Sequence, residues 1–361
     1  KKAHDLALTI RESGKPARDK AGKLLKDADG NKIVVPGLFT HCKAVGWYID
    51  SYNRAQISIN LTNYKVTPPH LVLEKVRELA SEMGVQVTGS ELVGLIPKAA
   101  LLEAGKYYLQ RMGESTGFPE RMIMETAIQS MGLADLGPFD LDKKVIEYAI
   151  ARRDSLTALS LEAFADLLST DSPAPGGGSV AALCAALSGA LSAMVANLTV
   201  DKKGYEAVQD KVRELAPRGQ DIKLRALQFI DADTDAFNAM MEASRLPKKT
   251  DEEIAFRATQ LEKTTQQAIM VPFRTLELAW DALQLAREVA SAGNANALSD
   301  AGVAGLTALT AAKAAHYNVL INLAGVTDEG FKTDIQNRAG QLSAQCAQLA
   351  AEIEAAVTVK L

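Results

Sequence analysis

Hydrophobic and polar positions follow one rule in the first part of this chain and another in the rest. Over residues 1–145 the period keeps changing. Leu6 and Ile10, with charges between them, predict a first helix that Ser13-Gly14 and Pro16 stop. A polar stretch with Asp29-Gly30 as its turn leads to Ile33-Val34-Val35-Pro36. Aromatic and β-branched residues then predict strands over 44–52 and 55–66. Within the second, Gln56-Ile57-Ser58-Ile59-Asn60-Leu61 alternates with period two, so one face is expected inside and the other in water. Pro68-Pro69 opens a helix through Leu71, Val76, Leu79 and Met83, and Val85-Gln86-Val87 reads as a returning strand. Residues 91–96 with Pro97 read as a second helical start, and 99–110 as a further helix. Together these predict a small α/β layer.

From about Leu161 onward every periodic segment is helical. Alanine and leucine dominate, and Gly, Pro, Asn and Asp punctuate the runs, which predicts an all-α bundle. Residues 146–160 are the expected join.

One helix stands out. No charged side chain occurs between Asp171 and Asp201. Its large apolar residues, among them Val180, Leu183, Leu187, Leu191, Met194 and Leu198, form a stripe at i, i+3, i+4 and i+7. The opposite face is small: Ala181, Ala185, Ser188, Gly189, Ser192 and Ala196. Its length would allow a membrane span. Ser and Asn interrupt it, however, and no segment of comparable apolarity accompanies it, so a buried central helix is the better expectation. Pro175-Gly176-Gly177-Gly178-Ser179 opens it. Unpaired N–H groups at a helix start, preceded by residues without side chains, let an anion or a carbonyl come close; a tight interhelical turn explains the glycines equally well.

Length and charge narrow the function classes. At 361 residues, two domains are expected, and 40 basic against 44 acidic residues leave no basic field for nucleic acid. Cys42, Cys184 and Cys346 lie far apart, without disulfide or zinc spacing, which fits a reducing cytoplasm. The chain starts Lys-Lys-Ala-His, with no initiator methionine or signal-type segment, so an upstream portion is expected to be missing.

A second unusual feature is a carboxylate on an apolar stripe. In the segment 221–243, Ala226, Phe229, Ile230, Phe237, Met240 and Met241 share one face, and Asp233 falls in its middle. Burial pushes a carboxyl pKa upward, which suits acid/base work near neutral pH. A buried ion pair or a capping bond would account for Asp233 as well. Asp231 and Asp235 fall beside Gln228, Asn238 and Glu242 and are expected to be solvated.

With the glycine entrance, Asp231-Ala232-Asp233, Arg245-Leu246-Pro247-Lys248, Gly293-Asn294, Ser299-Asp300 and Asn318-Val319-Leu320-Ile321-Asn322-Leu323, the chain resembles the bifunctional folate enzymes of the formimidoyltransferase-cyclodeaminase family. Val45-Gly46-Trp47-Tyr48 and the stretch from Gly89-Ser90-Glu91 to Ile96-Pro97 extend the likeness into the first half. The resemblance implies an α+β chain. Residues 1–147 would be a small, ferredoxin-like C-terminal subdomain of the transferase, 148–156 a linker, and 157–361 a helical-bundle cyclodeaminase domain. The family's transferase histidine belongs to an N-terminal subdomain, and none of His4, His41, His70 and His316 sits in a matching motif. The chain as given is therefore expected to lack transferase activity.

The family's cyclodeaminase converts 5-formimidoyltetrahydrofolate to 5,10-methenyltetrahydrofolate and ammonia in histidine breakdown, with the second Asp of D-A-D as acid/base, here Asp233. The resemblance also implies no tightly bound cofactor, a folate partner, polyglutamylated or not, and a homo-octamer; charge and composition argue against nucleic acid and a membrane span. Gly176, Gly177, Gly178 and Ser179 are expected in the folate pocket. Lys202, Lys203, Arg245 and Lys248 offer cations to the glutamate tail, or else are simply solvated; Lys248 also precedes Thr250-Asp251-Glu252-Glu253, which has capping-box spacing. Asn294 and Asp300 either orient the pterin or cap helices. Trp47 and Tyr48 are expected in the core, and the polar loop 14–30 on the transferase's folate surface. Two rivals remain: a methenyltetrahydrofolate cyclohydrolase, and a non-catalytic assembly module with alanine-rich faces.

Overall fold

The computed structural model describes residues 1–152 and 154–361. They form two compact units, one of Lys1–Gly113 with Glu120–Ala151, the other of Glu114–Pro119 with Arg152–Leu361.

The first unit is α+β. Helix α1 (Lys2–Ile10) precedes a short ladder of β1 (Lys15–Pro16) and β2 (Val34–Val35), followed by an antiparallel hairpin of β3 (Cys42–Ile49) and β4 (Arg54–Leu61). Cys42 lies opposite Leu61 and Ile49 opposite Arg54, and Asn53 makes the turn in the left-handed region. Five helices follow: α2 (Pro69–Glu82), α3 (Lys98–Arg111), α4 (Glu120–Met131), α5 (Leu141–Lys144) and α6 (Ile146–Ala149). Ala7, Ile10, Cys42, Ala44, Val72 and Val76 form one core, joining α1, β3 and α2. A second core, with Leu101, Ala104, Tyr108, Met124 and Ala127, joins α3 to α4.

Several expectations fail in this unit. Val85-Gln86-Val87 is not a strand: the N–H of Val85 goes back to the carbonyl of Ala80, and Val87 reaches the first core without a ladder partner. Residues 91–96 form no helix, because Ile96 exchanges backbone bonds with Lys144 and Ile146. Neither two-stranded ladder extends into a ferredoxin-like sheet among the described residues. Trp47 and Tyr48 are not core residues; they are 47% and 56% exposed. Period two explains Trp47, since Cys42 and Ala44 face inward and Lys43, Val45 and Trp47 therefore face outward. Tyr48 stands near the hairpin tip, where its hydroxyl meets Asn53.

The second unit is all-helical: α7 (Leu161–Leu168), α8 (Gly177–Asn197), α9 (Gln209–Ser244), α10 (Asp251–Ala292), α11 (Leu298–Leu323) and α12 (Glu329–Thr358). Helix α8 packs against α9, α10 and α11, while α12 covers α10 and α11. In the described residues α8 is the one helix long and apolar enough to cross a membrane, but 61% of its apolar window is buried within the protein.

Which face of α8 is buried reverses a simple hydrophobic reading. Ala181, Ala185, Ser188, Gly189, Ser192 and Ala196 are all buried, whereas Leu187 and Leu198 are 47% and 52% exposed. Helices approach most closely where side chains are small. At Gly189 and Gly219 the contact is between backbones: a Cβ on Gly189 would stand 2.7 Å from the carbonyl oxygen of Gly219. The Ser188 hydroxyl donates to the carbonyl of Ala304 at 2.8 Å, tying α8 to α11.

Candidate acid/base site at the α8 entrance

Helix α8 begins without a cap of its own. Gly176 stands at the N-cap position and has no side chain to offer the free N–H groups of the first turn. A carboxylate from α9 takes that place. Asp233 accepts from the Ser179 hydroxyl at 3.2 Å and is also bonded by the Ser179 backbone N–H. The same hydroxyl lies 3.1 Å from the carbonyl oxygen of Ile230.

Gly178 is what lets this happen. A Cβ there would stand 2.1 Å from Asp233 Oδ1, so the carboxylate occupies the space of the missing side chain. The neighbouring glycine faces a second polar group at a looser distance: a Cβ on Gly177 would lie 3.2 Å from Asn318 Nδ2, on α11. Polar groups from two different helices thus approach two glycines in succession, and only Gly178 is required by the contact.

Burial holds the Asp233 carboxyl above the ordinary carboxylate range, while the hydroxyl and N–H of Ser179 pull it back down. No lysine or arginine forms an ion pair with it among the described residues. Of the three readings left open for Asp233, the buried ion pair therefore drops out and the capping bond is present. Capping leaves the acid/base role open, because a carboxyl of raised pKa at a helix entrance can still exchange protons.

Of the flanking aspartates, Asp235 is exposed as expected, although paired, while Asp231 is half-buried and partnered, which corrects the sequence reading for that residue. Asp231 accepts from the Ser155 hydroxyl at 2.5 Å and from the N–H of Leu156 at 2.7 Å. Asp235 forms an ion pair with Arg152 at 2.7 Å. They hold the segment before α7 along α9, on either side of the Asp233 position.

Arg245 and Lys248 follow the C-terminal end of α9 and are exposed. Arg245 stands about 18 Å along the helix axis from Asp233. The capping box forms as its spacing suggested, Thr250 Oγ1 accepting from Glu253 N while the Glu253 carboxylate accepts from Thr250 N.

Lys202, Lys203, Asn294 and Asp300 are not brought to this site. The two lysines follow the far end of α8, more than about 30 Å from Gly177. Asn294 lies at that same end, where its N–H donates to Thr199 Oγ1 at 2.8 Å and its carboxamide oxygen caps Asn296. Capping, not ligand contact, is therefore what its geometry shows. Asp300 stands in the first turn of α11, at the end of that helix opposite Asn318.

Asn318 belongs to the Asn318-to-Leu323 motif and not to the expected site residues; its signal in the sequence is an amide within an apolar run. In the first unit a separate cleft of about 710 Å³ is lined by Phe39, Glu74, Glu78, Arg77, Tyr107 and Arg111 among others, but Glu74 is already satisfied by Arg77, Arg111 and Tyr108, and Glu78 pairs with Lys75. No group of three or more His, Cys, Asp and Glu side chains is arranged to hold a metal among the described residues.

The class that fold and site define is an all-helical bundle with a desolvated carboxylate, bonded to Ser179, at the entrance of its central helix. The comparisons narrow that class. Residues 160–341 match the formiminotransferase-cyclodeaminase family, and the chain belongs to it. Residues 1–151 match the formiminotransferase domain, which lends no support to the narrower expectation of a missing subdomain.

Mouse formimidoyltransferase-cyclodeaminase is 36% identical over 346 residues, which is 94% of this chain and 60% of the relative. The chain thus spans about 60% of the length of that relative. A methenyltetrahydrofolate cyclohydrolase of Methylorubrum extorquens is 38% identical over 172 residues, 48% of this chain and 83% of the relative. The crystal structure of formiminotetrahydrofolate cyclodeaminase from Thermotoga maritima superimposes with a TM-score of 0.51 at 27% identity, covering 56% of this chain and 98% of that one.

Proposed function

We propose that residues 157–361 are a cyclodeaminase domain acting on 5-formimidoyltetrahydrofolate, with residues 1–147 a transferase subdomain and 148–156 the linker between them. The observation that carries this reading is Asp233: a carboxylate of raised pKa, bonded to Ser179 and unpaired with any cation among the described residues, at a glycine entrance in the family's helical half.

The chemistry asks for one proton relayed within the adduct and one taken from solvent. N10 of the folate attacks the formimidoyl carbon, forming the new C–N bond, and Asp233 takes the N10 proton. Asp233 passes it to the exocyclic nitrogen of the tetrahedral adduct. A second proton, drawn from solvent, lets that nitrogen leave as ammonia, and the C–N bond breaks to give the methenyl cation. The raised pKa keeps part of the carboxyl protonated nearer neutrality than an exposed aspartate would be. Holding N5 and N10 of one folate conformer together supplies the proximity contribution. Addition, elimination and proton transfer account for the whole reaction, so the reading needs a folate substrate and no redox group.

Gly176, Gly177, Gly178 and Ser179 line the pocket in this reading, and Arg245 and Lys248 meet the glutamate tail, polyglutamylated or not. A homo-oligomer, an octamer by family resemblance, and a cytoplasmic setting complete it. Exposed Leu187, Met194 and Leu198 on α8, with Val303 and Leu306 on α11, offer apolar surface for subunit contacts.

The test is the absorbance rise of methenyltetrahydrofolate when 5-formimidoyltetrahydrofolate is added to the protein. Asp233→Asn is expected to lower kcat on the order of 10²–10⁴-fold with an unchanged circular dichroism spectrum. A variant as fast as its parent would remove Asp233 from the mechanism. The similarity to the M. extorquens cyclohydrolase favours one second reading. Supplying methenyltetrahydrofolate and following its loss separates the two, since a cyclohydrolase consumes what a cyclodeaminase makes.

A further inference from the structure

Asn318 has a hydrogen-bonding capacity that the fold does not use. It sits within an apolar helix, half-buried, where asparagine is a weak helix former. Its Nδ2 donates to the carbonyl of Ala314 at 2.8 Å. That carbonyl is already the regular helical acceptor for the N–H of Asn318, so the side-chain bond satisfies nothing left unmet. Its second N–H and its Oδ1 have no protein partner among the described residues. Asn322, one turn further on, makes the contrast: its Nδ2 donates to the carbonyl of Ala268 on α10 and ties two helices together.

The unused amide is placed at the entrance. Asn318 Nδ2 stands in tight contact with the Gly177 position, and Asp233 fills the space beside Gly178. Consecutive α-carbons are about 3.8 Å apart, so the carboxamide and the carboxylate flank one helical turn within roughly 10 Å of each other. A donor and an acceptor on one planar group match a cyclic –CO–NH– edge, which presents the complementary pair.

We propose that Asn318 is a substrate-orienting residue of this site, its carboxamide holding the lactam edge of the pterin ring while Asp233 faces the reacting nitrogens. The inference rests on the cyclodeaminase reading and adds to it the group that sets the ring's direction. A contact made equally in the ground state and the transition state appears in KM rather than in kcat. Loss of such a pair is expected to weaken binding about tenfold.

The experiment measures binding of 5-formyltetrahydrofolate, which lacks the leaving nitrogen, by isothermal titration calorimetry. Turnover of 5-formimidoyltetrahydrofolate is followed alongside, for the parent, Asn318→Leu and Asn318→Asp. Expected results are an affinity about tenfold weaker and a KM raised to match in both variants, with kcat changed less. Asn318→Asp keeps the side-chain volume, so it carries the comparison if Asn318→Leu lowers the melting temperature. Parent-like affinity and KM in both variants would overturn the role of Asn318 and leave the cyclodeaminase reading standing. A parent protein that neither binds the folate nor turns over its substrate would overturn both.

Discussion

Gly178 and Gly189 lie on the same helix, about three turns apart, and make room for different things. At Gly189 the missing side chain admits another backbone, since Gly219 crosses close enough that neither glycine could carry a Cβ without a shift. At Gly178 it admits a carboxylate. Close backbone contact lets two helices share a dry interface and serves packing. A carboxylate drawn in among apolar neighbours has its pKa raised at a cost in stability, and in the proposed reading it serves chemistry. The same residue type therefore lets backbones close on one another midway along α8 and admits a polar group at its start.

Exchanging each glycine for alanine tests that contrast most strongly. Gly178→Ala is expected to displace Asp233 and lower kcat/KM on the order of 10²-fold, the scale of a misplaced catalytic group, with a small change in melting temperature. Gly189→Ala is expected to do the reverse, destabilising by about 1–3 kcal/mol through overpacking while the folded fraction keeps its kcat. Steady-state kinetics and thermal denaturation of the two variants decide it; matching profiles would erase the distinction.

Ser179→Ala sharpens the electrostatic side with a smaller effect, about 0.5–1.5 kcal/mol for the lost hydrogen bond. Removing a donor to the ionised carboxylate moves the Asp233 pKa further up, so the acidic limb of the pH profile of kcat/KM shifts to higher pH. Stability carries the same sign. Because the folded-state pKa lies above the unfolded value, the native protein binds more protons, and stability falls as pH rises from the ordinary carboxylate range through the raised value. The variant should steepen that fall, as melting temperatures across pH would reveal. The smallest effect is expected from Lys202→Ala, at the packing end of α8: a KM for folate within roughly twofold of the parent, whereas a large rise would return that lysine to the site.

Asp233 was legible from its position on an apolar face, and the glycine entrance from its composition, because each is a local irregularity in a periodic pattern. Their contact was not, since residues 178 and 233 meet only when α9 folds back along α8. Lys202 and Asn294 were assigned to the site because they stand near conspicuous motifs in sequence; a helix of 21 residues carries its two ends about 30 Å apart. The stripe of Leu187, Met194 and Leu198 did not by itself say which face is inside; three neighbouring helices selected the small face for close approach. Pro217, Gly219 and Pro272 also lie inside long helices, where packing overrides the usual breaking signals.

The sequence by itself determined the change from mixed α/β periodicity to an all-helical half, the family likeness, and the one aspartate that does not belong on its face. Periodicity and composition are local properties, and a single strand of text carries them whole. Only the tertiary structure decided what stands beside Gly177 and Gly178, which face of α8 is inside, and which charged residues share an end of the bundle. Those are relations between helices distant in sequence, set by how closely their backbones approach, and no spacing along one chain encodes them.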